Sequence, residues 1–197
     1  MNDTRAELAA EVLRVSRQHD ARQADRLARY RNLEPETAAL LGVLIRAQGA
    51  RRVLELGTSN GYSTLWLGDA AEATGGHVLT VEIDPQRTAQ ARANLERAGL
   101  DAVVECRTQG AGQVLTEQPP DAWQFVFLDA ERPQYAAFWP MLINTLEPGG
   151  LLAIDNAISH ASELTEVRAL IDADDRLTSS MVPIGAGLLL AVLDRRA

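Results

Sequence analysis

The sequence predicts an α/β fold, with a parallel sheet covered by helices on both faces and closed by an antiparallel hairpin. Three observations lead there. Apolar runs at 53–56, 78–81, 103–106, 125–128 and 151–154 alternate with stretches rich in Ala, Arg, Glu and Leu, the pattern of buried strands joined by crossover helices. Two further apolar runs, 179–183 and 188–193, are separated only by residues 184–187, too few for a crossover, so they pair antiparallel. Finally, the first strand runs directly into a glycine turn, Gly57-Thr-Ser-Asn-Gly61, and then a helix from about Tyr62. Such a turn aims backbone N–H groups at a nucleotide-type ligand.

A chain of 197 residues with 46% hydrophobic content can bury one core, so a single domain is expected. The net charge of −8 disfavours nucleic acid as a partner and fits a small organic molecule. No apolar run approaches the ~20 residues needed to cross a bilayer, and the charged start, MNDTRAELAAE, lacks a signal peptide's apolar stretch. No membrane partner and a cytoplasmic location are therefore expected. The lone cysteine, Cys106, has no disulfide partner; its neighbours Val103 and Val104 place it in a buried strand with no catalytic role. All 19 basic residues are arginine, so no lysine can act as a base.

In chain order, residues 3–30 are highly charged, with Leu8, Val12, Val15, Leu27 and Tyr30 at roughly helical spacing. This reads as a helical arm, 1–34, too polar for a core, ahead of a domain at 35–197. Past Glu34-Pro35, residues 36–48 form a helix with Leu40, Leu41, Leu44 and Ile45 on one face, ended by Gly49. The segment Gly57 to Gly61 also fits G-x-S-x-G, and Ser59, Asp129 or Asp155, and His160 follow the chain order of a hydrolase triad. That elbow follows several earlier strands, whereas only helix precedes this one, so a hydrolase is rejected. A dehydrogenase needs G-x-G-x-x-G, and here the second glycine comes four residues after the first. The second strand ends in Val81-Glu82-Ile83-Asp84-Pro85, placing Glu82 about 25 positions beyond Gly57, where a carboxylate can accept both ribose hydroxyls of a nucleoside.

The segments VLELGTSNGYSTLWL (53–67), VEIDPQRTAQARANLERAGL (81–100), FVFLDAERPQY (125–135), GGLLAIDN (149–156) and PIGAGLLLAVLDRR (183–196) resemble the class I S-adenosylmethionine-dependent methyltransferases, specifically the caffeoyl-CoA and catechol O-methyltransferase family. The resemblance covers nearly all of the chain from Pro35 on. It implies one Rossmann-like domain with a seven-stranded, mostly parallel sheet, and methyl transfer to a hydroxyl of a small, catechol-like or otherwise hydroxylated acceptor. By it, Gly57, Ser59 and Ser63 hold the methionine end of the cofactor, Glu82 the ribose and Gly110-Ala111 the adenine. The loop from Glu55 to Gly61 wraps the sulfonium, and Asp129 lies near the ammonium. Family habit and the amphipathic arm point to a homodimer.

Asp129 ends the fourth strand and Asp155-Asn156 the fifth, so their oxygens emerge at one crevice. Two carboxylates and an amide carbonyl make a hard oxygen site for Mg²⁺, Mn²⁺ or Ca²⁺, and in the family these positions are metal ligands. The alternatives are an acid serving only the cofactor and an acid–amide pair capping the next helix. The family usually carries a lysine base three residues after the first aspartate; here Arg132 stands there, expected as an electrostatic contact to a phenolate or an acidic acceptor group. His160 is the candidate base, with proton loss to water as the simpler route. Ala186 occupies a position where relatives more often carry the Asp of Gly-Asp-Gly. Two other readings stay open: a cofactor-binding protein with weak or no catalysis, and a methyltransferase acting without metal on a different small acceptor.

Overall fold

The computed structural model describes residues 1–195; Arg196 and Ala197, where the expected domain ends, lie outside the described residues. Seven strands form one sheet in the order β3 (Val104–Thr108), β2 (His77–Glu82), β1 (Arg52–Leu56), β4 (Trp123–Leu128), β5 (Leu146–Ile154), β7 (Leu188–Leu193) and β6 (Leu177–Val182). The first five in the chain are parallel. The closing hairpin forms as expected, with Val182 opposite Leu188 and β7 antiparallel to β5. Strand order reverses between β1 and β4, and in such sheets ligands bind in the crevice beyond the carboxyl ends at that point.

Side-chain alternation along the strands builds two cores. Val53, Phe125, Phe127 and Ala153 face one side, under α1 (Asp3–Asp20), α2 (Pro35–Gln48), α3 (Tyr62–Ala73) and Leu95 of α4 (Pro85–Arg97). Leu54, Leu56, Val126, Leu128, Leu152 and Ile154 face the other, under α5 (Ala111–Glu117), α6 (Tyr135–Thr145) and α7 (Thr165–Ala173). Each such side chain, fully buried, contributes about 2 kcal/mol. As expected, α2 ends at Gly49, in the left-handed conformation at φ 67°. No helix among the described residues is long and apolar enough to cross a membrane.

Two expectations are corrected. The N-terminal arm is part of the core: Leu8, Ala9, Val12 and Leu13 of α1 join the first cluster, and buried Ser16 receives the Asn60 amide at 2.6 Å. This apolar stripe is narrow, and the charged residues around it mask it; Val15, counted toward it, points to solvent. Cys106 is only half-buried, because β3 is an edge strand, and burial still pushes its thiol up to about 11.

One carboxyl sits inside the first core. Glu55 shares its β1 face with Val53, is 0% exposed, and accepts from the hydroxyls of Ser63, Thr64 and, at 2.6 Å, Thr80. Burial outweighs these three donors and pushes the carboxyl from 4.5 up to about 7. Folding thus favours the protonated form, and its contribution is lost as pH rises from the unfolded value of 4.5 through about 7. Across that window Glu55 should cost roughly 3 kcal/mol of stability. Urea denaturation of the protein and of Glu55→Gln at both pH values checks this: the variant should lose that fall in stability, and an identical pH slope in both would refute the assignment.

Candidate active site

At the end of β1 the chain folds tightly against its neighbours. The N–H groups of Gly57 and Thr58 both reach the Val81 carbonyl, at 3.0 and 3.2 Å, and the Gly61 N–H closes on the Thr58 carbonyl at 2.9 Å before α3 begins. Gly57 sits at φ 108° with its Cα against the Asp129 backbone, so an added Cβ would overlap the Asp129 carbonyl. Gly61, at φ 85°, lies less tightly against Ala91 of α4, where an added Cβ would come within 3.1 Å. Close packing and a positive φ both demand glycine at position 57, and at position 61 the left-handed backbone is the stronger reason. At the end of β2, Glu82 accepts the Ser59 N–H at 2.9 Å on one oxygen and the Asp84 N–H at 3.0 Å on the other, which fixes the carboxylate and leaves its outer lone pairs free for a ligand.

Two more acids follow at adjacent strand ends. The Asp129 N–H bonds the Leu56 carbonyl at 2.9 Å and the Asp155 N–H the Leu128 carbonyl at 3.1 Å, stepping both residues out of the sheet on the same edge. Asn156, left-handed at φ 62°, turns its Nδ2 toward Asp155 Oδ2 at 2.8 Å and Asp129 Oδ1 at 3.4 Å. Turning that amide over would bring a third oxygen to the pair. Asp155 Oδ1 is buried without a partner. Burial, then the charges of Asp155 and Glu55, hold Asp129 well above the usual carboxylate range against the opposing Arg132 and Arg31. Burial also pushes Asp155 up to about 6, although the Asn156 N–H and Arg132 act against it. Among the described residues, no three His, Cys, Asp or Glu side chains form a cation cage; the available oxygen set is two carboxylates and one amide.

The N-terminal segment closes over this edge. Asp20 accepts the N–H groups of Tyr30 and Arg31 at 2.8 and 3.0 Å, Arg87 of α4 donates to the Arg29 carbonyl at 3.0 Å, and Ser59 Oγ donates to the Tyr30 carbonyl at 3.1 Å. Beneath it lies a cavity of about 870 Å³, enough for a nucleoside-sized ligand together with a small second molecule.

Of the residues the sequence singled out, Gly57, Ser59, Glu82, Gly110, Ala111, Asp129, Arg132, Asn156 and His160 line this cavity. Glu55, Gly61 and Ser63 do not. Glu55 and Ser63 bond each other in the core beneath the loop, so they support it from behind. Asp155 is 3% exposed beside Asn156 and is not part of the lining. Arg132 is buried and paired with Glu163 at 2.8 Å. His160 Nε2 accepts from Arg26 at 2.6 Å and its Nδ1 meets Ser159 Oγ at 2.8 Å; burial, then Arg132, lowers its pKa, so the ring is neutral and its lone pair is already used. Arg26, Tyr30, Arg31, Ile83 and Phe138 also line the cavity, although none of them was expected in the site. Ile83, an apolar residue set between two acids, carried a readable signal.

Comparison with known proteins agrees with this geometry. Residues 3–194 match the family model described as O-methyltransferase, and the chain belongs to that family. Among curated relatives, a protein named catechol O-methyltransferase from Niastella koreensis is 33% identical over 138 residues, 68% of this chain and 62% of that protein. The chain thus spans less than two thirds of that relative's length. Among solved structures, the O-methyltransferase from Bacillus cereus in complex with SAH superposes with a TM-score of 0.80 at 27% identity, covering 95% of this chain and 91% of that one. A methyltransferase from Geobacter sulfurreducens shares the fold at a TM-score of 0.77 and 21% identity, over 95% of this chain and 90% of that one.

Gly57→Ala should destabilise the protein by at least about 3 kcal/mol, because the new methyl group meets backbone that cannot move aside. Urea denaturation measures it. A loss below about 1 kcal/mol would mean that the two strand ends separate more easily than this packing implies.

Proposed function

We propose that this protein transfers a methyl group from S-adenosylmethionine to a hydroxyl of a small, catechol-like acceptor, with a divalent cation (Mg²⁺, or Mn²⁺ or Ca²⁺) held by Asp129, Asp155 and Asn156. The observation that carries the metal is the buried, unpartnered Asp155 Oδ1 beside Asp129: two desolvated carboxyls at one edge are costly unless a cation or protons neutralise them. A hard, all-oxygen donor set fits these ions.

Family membership and the SAH-bound relative support the cofactor. Here the fixed Glu82 carboxylate would accept the ribose hydroxyls, and the loop at Gly57 and Ser59 would hold the methionine end. Gly110-Ala111, with Ile83 and Phe138, would border the adenine. When bound, a divalent cation lowers the pKa of a ligated hydroxyl and fixes its direction. Arg132, at the same edge, would stabilise negative charge developing on the acceptor oxygen. His160 holds Arg26 in place and is not free to serve as the base, so the hydroxyl proton would pass to water.

Transfer of labelled methyl from S-adenosylmethionine to catechol should require Mg²⁺ and fall at least about 100-fold in excess chelator or in Asp155→Ala. Mg²⁺ should raise the melting temperature of the unsubstituted protein and leave that of Asp155→Ala unchanged, while both bind S-adenosylhomocysteine in calorimetry. Full activity in chelator would remove the metal, and cofactor binding with no methylation of any hydroxylated aromatic would leave only a binding protein.

A further inference from the structure

The acceptor end of the cavity carries more positive charge than a neutral ring calls for. Arg26 and Arg31 reach it from the N-terminal segment and Arg132 from the turn after β4, and they line it together with His160. Arg132 uses its Nε on Glu163 at 2.8 Å, and among the described residues its two terminal nitrogens have no acceptor. Arg31 reaches Glu131 through one nitrogen at a long 3.4 Å, and its Nε is buried without a partner. Arg26 donates to the neutral ring of His160. Glu131 and Glu163 each engage one of these guanidinium groups through a single nitrogen, which leaves several N–H donors without a protein acceptor among the described residues.

We infer that this end of the cavity seats a carboxylate borne by the acceptor, so that the preferred substrate is a hydroxylated aromatic acid. The inference rests on the methyl-transfer reading above. Guanidinium forks match a carboxylate in two-point geometry, and a buried Nε without an acceptor is relieved by gaining one. One carboxylate suffices for the N–H donors left open, whereas a polyphosphate tail would bring several negative charges beside Glu131 and Asp129, which line the same cavity.

Protein loaded with S-adenosylhomocysteine, titrated by calorimetry with protocatechuate and with its uncharged methyl ester, tests this directly. The acid should bind about tenfold more tightly than the ester. Arg26→Gln, at an exposed position, and Arg132→Gln should each abolish that preference while leaving S-adenosylhomocysteine affinity within about twofold. Equal binding of acid and ester overturns the carboxylate seat, as does a substitution that weakens the cofactor instead. Coenzyme A binding more tightly than protocatechuate overturns the single-charge form. Methyl transfer followed in parallel separates the two readings. Acid-selective binding without product upholds the seat and defeats the methyl-transfer assignment, while equal kcat/KM on acid and ester does the reverse.

Discussion

Where β1 and β4 end side by side, Gly57 lies so close to the Asp129 carbonyl that no side chain fits between them. Much of the working edge follows from that contact. It lets the chain turn sharply out of β1, so that the Gly57 and Thr58 N–H groups converge on one carbonyl of β2 and Glu82 can clamp the Ser59 N–H. It also sets Asp129 directly across from the loop, on the strand next to the one that ends at Asp155. The topological switch in the sheet creates a crevice there, and the missing Cβ determines how closely its two walls approach.

Charge is layered across this edge. Deepest is Glu55, beneath the loop and held by three hydroxyls; next come Asp129 and Asp155, buried and raised above the usual carboxylate range; outermost are the arginines of the N-terminal segment and of the turn after β4. The inner acids repel one another, as the influence of Glu55 and Asp155 on Asp129 shows, and Arg132 and Arg31 only partly offset that repulsion. Such an arrangement favours a positively charged group among the acids and a negatively charged one at the rim. On the readings proposed above, a cation at Asp129 and Asp155 and an anionic acceptor at the arginines would meet those two demands separately.

The strands and the closing hairpin were legible because buried parallel strands are continuous apolar runs and a four-residue gap excludes a crossover. The glycine loop was legible because its glycines have a local cause, visible at Asp129 and in the positive φ of Gly61. The role of α1 was not. Five buried positions among eighteen helical residues are too few to stand out against so much charge, and their burial depends on partners far along the chain, such as Asn60. Glu55 misled for a related reason: its place beside the loop in sequence says nothing about which face of β1 it occupies, and alternation from Val53 turns it into the core. The arginines at 26 and 31 were hidden because nothing local says that a polar arm returns to cover a cavity.

The absence of lysine makes the fate of the acceptor's proton the sharpest question at this site. Arginine does not accept a proton, and the lone pair of His160 is engaged by Arg26. On the proposed reading, a hydroxyl bound here would pass its proton to solvent or to a carboxylate at that edge, and the surroundings would act on how readily it does so. Guanidinium groups at the rim favour the ionised oxygen, just as they favour a carboxylate. On the readings proposed above, the guanidinium groups that would select an acidic acceptor would also add to the cation's acidifying effect on its hydroxyl. On that reading, an arginine where the resembling family carries a lysine would remove a base from the site but retain the electrostatic half of its work.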